Sequence, residues 1–416
     1  MDKINAPKGT KDIFAPDVEK WQFLEDKVRE IFNRFYFSEI RTPVFEHTEL
    51  FSRGIGSETE VVSKEMYTFK DRKARSLTLR PENTASVVRA AIENRLLDLH
   101  FPLRYYYIGP MFRYERPQKG RQRQFHQFGI EVFNDATAEV DAEVILVAYK
   151  LLTELSITNI RVEINSVGCK KCRPDYLKLL SKEAGESKEN LCPDCNRKSE
   201  TNPLRIFDCK NKTCIEVADK FPKITEHLCD ECKTHFNKLK ETLDIFEVPY
   251  FVNNKLVRGL DYYTKTAFEI TSDALGSQNA ILGGGRYNNL IGELGGKDIG
   301  GIGFAAGMER VILHLNKIEK SKELKVIIMY HSEQEKKAAL SIARECWKNG
   351  LKTFIDYNAQ NIKKQFKKGD KIEADYAFII GDEEVTEGII SIKNMKTREQ
   401  EKIKNKDLEK WIKTKN

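Results

Sequence analysis

Between Tyr105 and Phe133 the chain reads YYYIGPMFRYERPQKGRQRQFHQFGIEVF, two stretches of alternating apolar and polar positions joined by a strongly polar one. This is the pattern of two strands and a connecting loop. Alternate side chains of an extended strand share a face, so Met111, Arg113 and Glu115 are expected on one side and Phe112 and Tyr114 on the other. In the second strand His126, Phe128, Ile130 and Val132 form the apolar face. Gln127, Gly129 and Glu131 line the opposite face, with Gly129 leaving open space between two polar groups, as in the floor of a pocket. The loop RPQKGRQR holds Arg116, Lys119, Arg121 and Arg123 without an acid, which suits an anionic partner such as phosphate.

The other periodic stretches arrange themselves around this hairpin. Val18 to Tyr36 carries Trp21, Leu24, Val28, Ile31, Phe32 and Phe35 at helical spacing, an amphipathic helix. SLTLRPENTASVVRAAIENRLL reads as a strand, a Pro turn and a helix with Asn83 or Thr84 as N-cap. Ala138 to Leu155 is a helix, and RVEINSVGC is a strand. YFVNNKLVRGLDYYTKTAFEIT suggests a strand passing the pocket around Arg258, Gly259 and Asp261. A glycine-rich segment then ends in a helix at Gly307-Met308-Glu309-Arg310. Beyond Lys317, IEKSKELK reads as a linker. The tail alternates strand and helix, with DYAFIIGDEE among its strands and Gly350 as a helix C-cap, which describes a small α/β module.

Composition adds three constraints. No apolar run approaches the roughly 20 residues needed to cross a bilayer, and MDKINAPKGTKDIF lacks a signal-like apolar core, so a cytoplasmic location with reduced thiols is expected. The net charge of +7 is uneven: residues 325 to 416 hold 20 Lys or Arg against 15 Asp or Glu, a surplus of 5 that suits a polyanionic partner. Of the 9 cysteines, all but Cys346 fall between Cys169 and Cys232, as Cys169-x-x-Cys172, Cys192-x-x-Cys195, Cys209-x4-Cys214 and Cys229-x-x-Cys232. Paired thiolates at such spacing suit structural Zn2+ better than disulfides or redox chemistry. They could form two four-thiolate sites, one site plus spares, or none.

FRYERPQKGRQRQFHQFGIEVF resembles motif 2 of the class II aminoacyl-tRNA synthetases, in its histidyl-tRNA synthetase form. FSEIRTPVFEHTELFSRGIG, with Pro43, is similar to motif 1, which builds the dimer interface in that family. GIGFAAGMERVILHL is similar to motif 3, and LVRGLDYYTKTAFE resembles the histidine-specific signature. The resemblance implies an antiparallel-sheet catalytic domain of mixed α/β class over residues 1–324. It also implies a Cys-rich insertion at 168–248 leaning on the tRNA acceptor arm, and an α/β anticodon-binding domain at 325–416.

The same resemblance implies site residues. Glu82, Thr84 and Gln127 would hold the α-ammonium of L-histidine, Glu131 and Tyr263 its imidazole, and Tyr262 would shape the pocket. Arg113 and Arg258 would meet the reacting carboxylate and the α-phosphate of ATP, and Arg310 the γ-phosphate, with Mg2+ adding charge. Guanidinium groups suit this role because they are permanently charged and bidentate. Arg116 and Gln118 would contact the acceptor end of tRNA(His). The implied activity is histidine activation and tRNA charging by a homodimer. The alternative is a catalytically silent regulatory subunit of histidine biosynthesis, disfavoured by the three arginines and the complete basic tail. A synthetase for another amino acid is disfavoured by LVRGLDYYTKT with Gln127 and Glu131, and a binding protein without catalysis by the three motifs together.

Overall fold

The computed structural model describes residues 3–56, 59, 61–99, 101–118, 120–258, 262–272, 280–315, 323–358 and 361–415. Lys119, Gly259, Asp261 and most of the expected linker after Lys317 lie outside the described residues. The chain divides into two compact units, Met1–Ile318 and Glu319–Asn416.

The first unit is built on eight strands: β1 (Ser38–Glu39), β2 (Leu103–Phe112), β3 (Gln124–Phe133), β4 (Ile160–Ser166), β5 (Tyr250–Val252), β6 (Thr266–Ser272), β7 (Ala280–Tyr287) and β8 (Gly301–Gly307). They lie in the order β1-β2-β3-β8-β7-β6-β4-β5. Only the two edge pairings, β1 with β2 and β4 with β5, are parallel. The antiparallel interior follows from strands that alternate, one face apolar and one polar. Phe128, Ile130, Val132, Phe268, Ile270, Ile302 and Phe304 form the apolar face and are buried. They pack under helices Asp17–Arg34, Ala138–Glu154 and Asp230–Ile245. Phe32, from the expected helical stripe, sits 5.5 Å from the Tyr106 ring, 6.1 Å from Phe128 and 6.2 Å from Phe304.

Several boundaries differ from the pattern-based expectation. β2 stops at Phe112, and Arg113, Tyr114 and Glu115 lie beyond it: the Arg113 N–H still reaches the Arg123 carbonyl, but the Arg123 N–H, which would return that bond, goes to the carbonyl of Gly9 from another segment. Arg258 is not in a strand. Asn83 is the N-cap of helix Thr84–Glu93, yet its side chain accepts from Arg80 and Thr42 instead of capping. Thr48–Ile55 is a short helix that alternation did not reveal.

Between β4 and β5 the chain leaves the sheet for helices Arg173–Glu186, Pro193–Thr201, Lys212–Ala218 and Asp230–Ile245. This excursion has its own core around Tyr176, Leu180, Ile206, Phe221 and Ile224. A separate small sheet of Phe45–His47, Ser76–Leu79 and Tyr67–Lys70 leaves Val44, Phe45 and Phe69 exposed.

The second unit is a five-stranded sheet in the order Lys352–Ile355, Lys325–Tyr330, Tyr376–Ile380, Ile389–Asn394, Gln400–Lys404. The first two pairings are parallel and the last two antiparallel. Helix Glu333–Lys348 starts with a Ser332–Glu335 capping box and ends before Gly350, whose φ of +72° fits the left-handed turn. The run expected as strand through Asp382–Glu384 instead turns into helix Asp382–Glu387, its first turn carrying three acids that favour a helix N-terminus. No helix among the described residues is long and apolar enough to cross a membrane.

Candidate active site

The polar face of the large sheet is floored by small residues. Across β3 and β8, Gln127 lies opposite Gly307, Gly129 opposite Ala305, and Glu131 opposite Gly303. The next step, from β8 to β7, sets Gly303 against Gly285 and Ala305 against Gly283. Gly283 in turn faces Glu269 on β6. Small residues in these rows let long polar side chains lie flat on the sheet. A cavity of about 380 Å³ stands above them.

Of the residues expected from the sequence, Glu82, Thr84, Arg113, Gln127, Glu131, Arg258, Tyr262, Tyr263 and Arg310 all line this one cavity. Arg116 and Gln118 do not; both are exposed in the hairpin loop. That loop is less self-repelling than its composition implies. Arg121 pairs with Glu115 at 3.2 Å, and Arg123 stacks 4.1 Å from the Tyr114 ring centre.

Glu131 is the most enclosed acid of the site. Its carboxylate accepts from Thr84 Oγ1 at 2.7 Å and from the Tyr287 hydroxyl. A side chain on Gly303 would overlap it. Burial pushes its pKa up to about 8, against the opposing effect of those two hydrogen bonds. Glu82 is also buried and its pKa raised, and its two oxygens accept the backbone N–H groups of Thr84 and Ala85 at 2.7 and 3.0 Å, doing the capping that Asn83 does not. Each carboxylate oxygen keeps a lone pair for a ligand donor.

The cations are fixed from behind. Arg258 donates to Glu269. Arg113 Nε donates to the Pro81 carbonyl at 2.9 Å, its guanidinium 5.4 Å from the Phe125 ring centre. Arg310 Nη1 donates to the Ala280 carbonyl at 2.7 Å. Arg258 Nε and Gln127 Oε1 are buried without a protein partner. Buried polar atoms are nearly always satisfied, so these two mark places where a polar ligand belongs.

Gly129 does not open space. Tyr107 lies directly opposite it on β2, and its hydroxyl stands 2.5 Å from where a Cβ at 129 would be. The aromatic wall of Tyr107, Tyr262 and Tyr287 was not legible as a group, though Tyr262 was expected singly. The three phenols are buried, which holds their pKa values far above the ordinary one. Glu269 and Glu309 were also missed. Glu309 accepts the His126 N–H at 2.9 and 3.1 Å and so fixes the turn that carries Arg310. The only local signal for Glu269 is an acid facing away from Phe268 and Ile270 in a β-rich run.

All eight clustered cysteines are free thiols, gathered into two sets: Cys169, Cys172, Cys229 and Cys232, and Cys192, Cys195, Cys209 and Cys214. The sulfurs of each set lie within 4.8 Å of one another and could hold a metal ion. The sets are nested, the ends of the excursion forming one and its middle the other.

An antiparallel sheet bearing arginines and acids over a glycine floor is the arrangement expected of a class II aminoacyl-tRNA synthetase. A profile described as "Histidyl-tRNA synthetase" matches residues 9–190 and 206–311, and one described as "Anticodon binding domain" matches 325–415. The chain is 48% identical over 404 residues to a histidine–tRNA ligase of Halothermothrix orenii, covering 96% of each. It is 47% identical over 413 residues to one of Desulfitobacterium hafniense, covering 98% of this chain and 97% of that one. The crystal structure of the apo S. aureus histidyl-tRNA synthetase superposes with a TM-score of 0.83 at 36% identity, covering 98% and 99% of the two chains. The chain belongs to the histidyl-tRNA synthetase family.

Proposed function

We propose that this protein activates L-histidine with ATP and transfers the histidyl group to the 3′ end of tRNA(His). The observation that carries the reading is that the three arginines, Glu131 and Gln127 converge on one cavity whose buried Arg258 Nε and Gln127 Oε1 lack protein partners. A carboxylate oxygen of histidine attacks the α-phosphorus of ATP, the bond to the β-phosphate breaks, and pyrophosphate leaves. Two anions must meet, so fixed positive charge is needed before the reaction starts. Arg113 and Arg258 supply it to the carboxylate and α-phosphate, and Arg310 holds the departing phosphates. Magnesium arriving with ATP adds charge, and Glu269 and Glu115 on the cavity wall are hard oxygen donors that would hold it.

Glu82, Thr84 and Gln127 take the ammonium, while Glu131 and Tyr263 pair the imidazole beside Tyr262. A site that must hydrogen-bond both ring nitrogens rejects apolar analogues, which leave its buried groups unpaired. In the second step the terminal ribose hydroxyl attacks the acyl carbon and AMP departs. Arg116 and Gln118, exposed in the loop, receive the acceptor end. Each four-thiol set would hold one zinc ion, whose preferred shell is four thiolates. Exposed Val44, Phe45 and Phe69 support pairing with a second copy, as a cytoplasmic homodimer. The domain edges of 1–324, 168–248 and 325–416 belong to the same reading.

ATP–pyrophosphate exchange with each common amino acid tests it. Exchange is expected with histidine alone and is lost in Arg258→Ala. Histidine binding without exchange would move the regulatory-subunit alternative to first place.

A further inference from the structure

The outer cysteine set has the dimensions of a metal site. A zinc ion bound by four thiolates at about 2.3 Å makes a tetrahedron with edges of about 3.8 Å. The sulfur separations are 3.8 Å for Cys169–Cys172, 3.7 Å for Cys169–Cys229 and 3.8 Å for Cys172–Cys232. Disulfide sulfurs lie about 2.05 Å apart, so these thiols are arranged around a point and not bonded in pairs. Backbone N–H groups of Cys169 and Lys171 aim at the sulfurs of Cys172 and Cys169, at 3.3 and 3.4 Å, as they would toward thiolates.

Both turns that carry these cysteines also grip one short segment, Tyr263-Thr264-Lys265. On the first turn, the Gly168 carbonyl accepts from Thr264 Oγ1 at 3.1 Å and from the Lys265 N–H at 2.8 Å. Arg173, next to Cys172, donates to the Tyr263 carbonyl at 2.5 Å and to the Val167 carbonyl at 2.8 Å. On the second turn, Glu231, between Cys229 and Cys232, pairs with Lys265 at 2.8 Å. The segment they hold carries Tyr263, which lines the cavity with its ring 4.6 Å from that of Tyr262.

We infer that a zinc ion on Cys169, Cys172, Cys229 and Cys232 positions Tyr263, so that metal occupancy of the insertion governs affinity for histidine. The inference rests on the histidine-activating reading of the cavity. Without the ion, the two turns are joined by the exposed Lys171–Glu231 pair at 3.4 Å and through Lys265, exposed ion pairs being weak, and the anchors of the segment they clamp loosen together. The effect falls on the amino-acid side, since Tyr263 is the residue displaced. Arg173 and Lys265 are positioning residues in this scheme.

The test begins with metal analysis of purified full-length protein. Zinc is expected at two ions per chain, and at one in Cys229→Ser. In histidine-dependent pyrophosphate exchange, Cys229→Ser is expected to raise the KM for histidine roughly tenfold or more, with the KM for ATP changed less than about threefold. Lys265→Met, which keeps all four thiols, should retain two zinc ions and raise the histidine KM by a smaller factor. If Cys229→Ser does not fold, the wild-type protein stripped with a chelator and reloaded with Co2+ serves instead: thiolate-to-cobalt charge-transfer bands should appear as the histidine KM recovers. Iron or no metal at these cysteines overturns the site. Zinc loss with an unchanged histidine KM overturns the coupling. Either result leaves the activation reading standing, because that reading fails only if metal-loaded wild-type protein shows no histidine-dependent exchange.

Discussion

The guanidinium of Arg258 occupies the space that a side chain at Gly283 would fill, with Cζ and Nη2 each 2.5 Å from where that Cβ would stand. Gly283 also faces Glu269, the carboxylate that Arg258 bonds, so one missing methyl fixes both the height and the direction of the charge over the sheet. Gly283→Ala is expected to lower histidine-dependent pyrophosphate exchange by about 10²-fold, the scale of an ångström's misplacement of a reacting group. Its circular dichroism should stay native, since the strand backbone tolerates alanine. A variant with wild-type turnover would show that Arg258 need not lie on the sheet.

Glu131 makes the stability of the ligand-free protein depend on pH. Its folded pKa of about 8 lies above the ordinary carboxyl value. The folded state therefore holds this proton more tightly than the unfolded chain. The stabilisation is complete below the unfolded pKa of about 4.3 and is lost as pH rises through 8, at up to ~1.4 kcal/mol per pH unit. Glu131→Gln has no such titration, so its stability relative to wild type should climb between pH 5 and 8 in urea unfolding. A flat difference across that range would contradict a carboxyl buried in this way.

Arg286 and Asp141 form a fully buried pair beneath the sheet, supported by Thr266 Oγ1 on the same carboxylate and by the carbonyls of Asp135 and Thr137 on the guanidinium. Asp141→Ala leaves a buried cation with carbonyls as its remaining partners. A loss of ~3–5 kcal/mol is expected, visible as a marked drop in Tm. A small change would mean that the carbonyls suffice.

Ser332 caps helix Glu333–Lys348 in the second unit, with its hydroxyl accepting from the Glu335 N–H and Glu335 accepting from the Ser332 N–H at 3.0 Å. Ser332→Ala should cost that unit about 0.5–2 kcal/mol. Pyrophosphate exchange should keep its wild-type rate while calorimetry records the loss. A fall in exchange would tie the helix to activation, although the residues lining the cavity all belong to the first unit.

What could be read in advance was whatever depends on one strand or one motif. Alternation placed Gln127 and Glu131 on a common polar face because period two is a local property, and the motif resemblances marked Arg113, Arg258 and Arg310. Partners across the sheet were not legible. Tyr107 fills the gap at Gly129 through a pairing register that no single strand encodes, and Tyr287 reaches Glu131 from β7. The cysteine spacing gave the pairs but not their grouping. Cys169 and Cys172 join a pair 60 residues away, past both inner pairs, because chain reversal by intervening helices decides which turns meet. β2 ended early for a similar reason, the N–H of its facing residue Arg123 being taken by distant Gly9.

The nesting of the two thiol sets bears on the order in which the excursion can assemble. Cys192 and Cys214, in the inner set, are 22 residues apart, whereas the outer set brings together residues 60 apart. Closure entropy grows with the length of chain to be gathered, so the inner knot is the cheaper to tie and, once tied, shortens the slack the outer one must gather. With Cys169 and Cys172 brought to Cys229 and Cys232, the chain between them presents itself as a closed loop between β4 and helix Asp230–Ile245. Its interior can then diverge in length and composition while the strands that bear the chemistry keep their register.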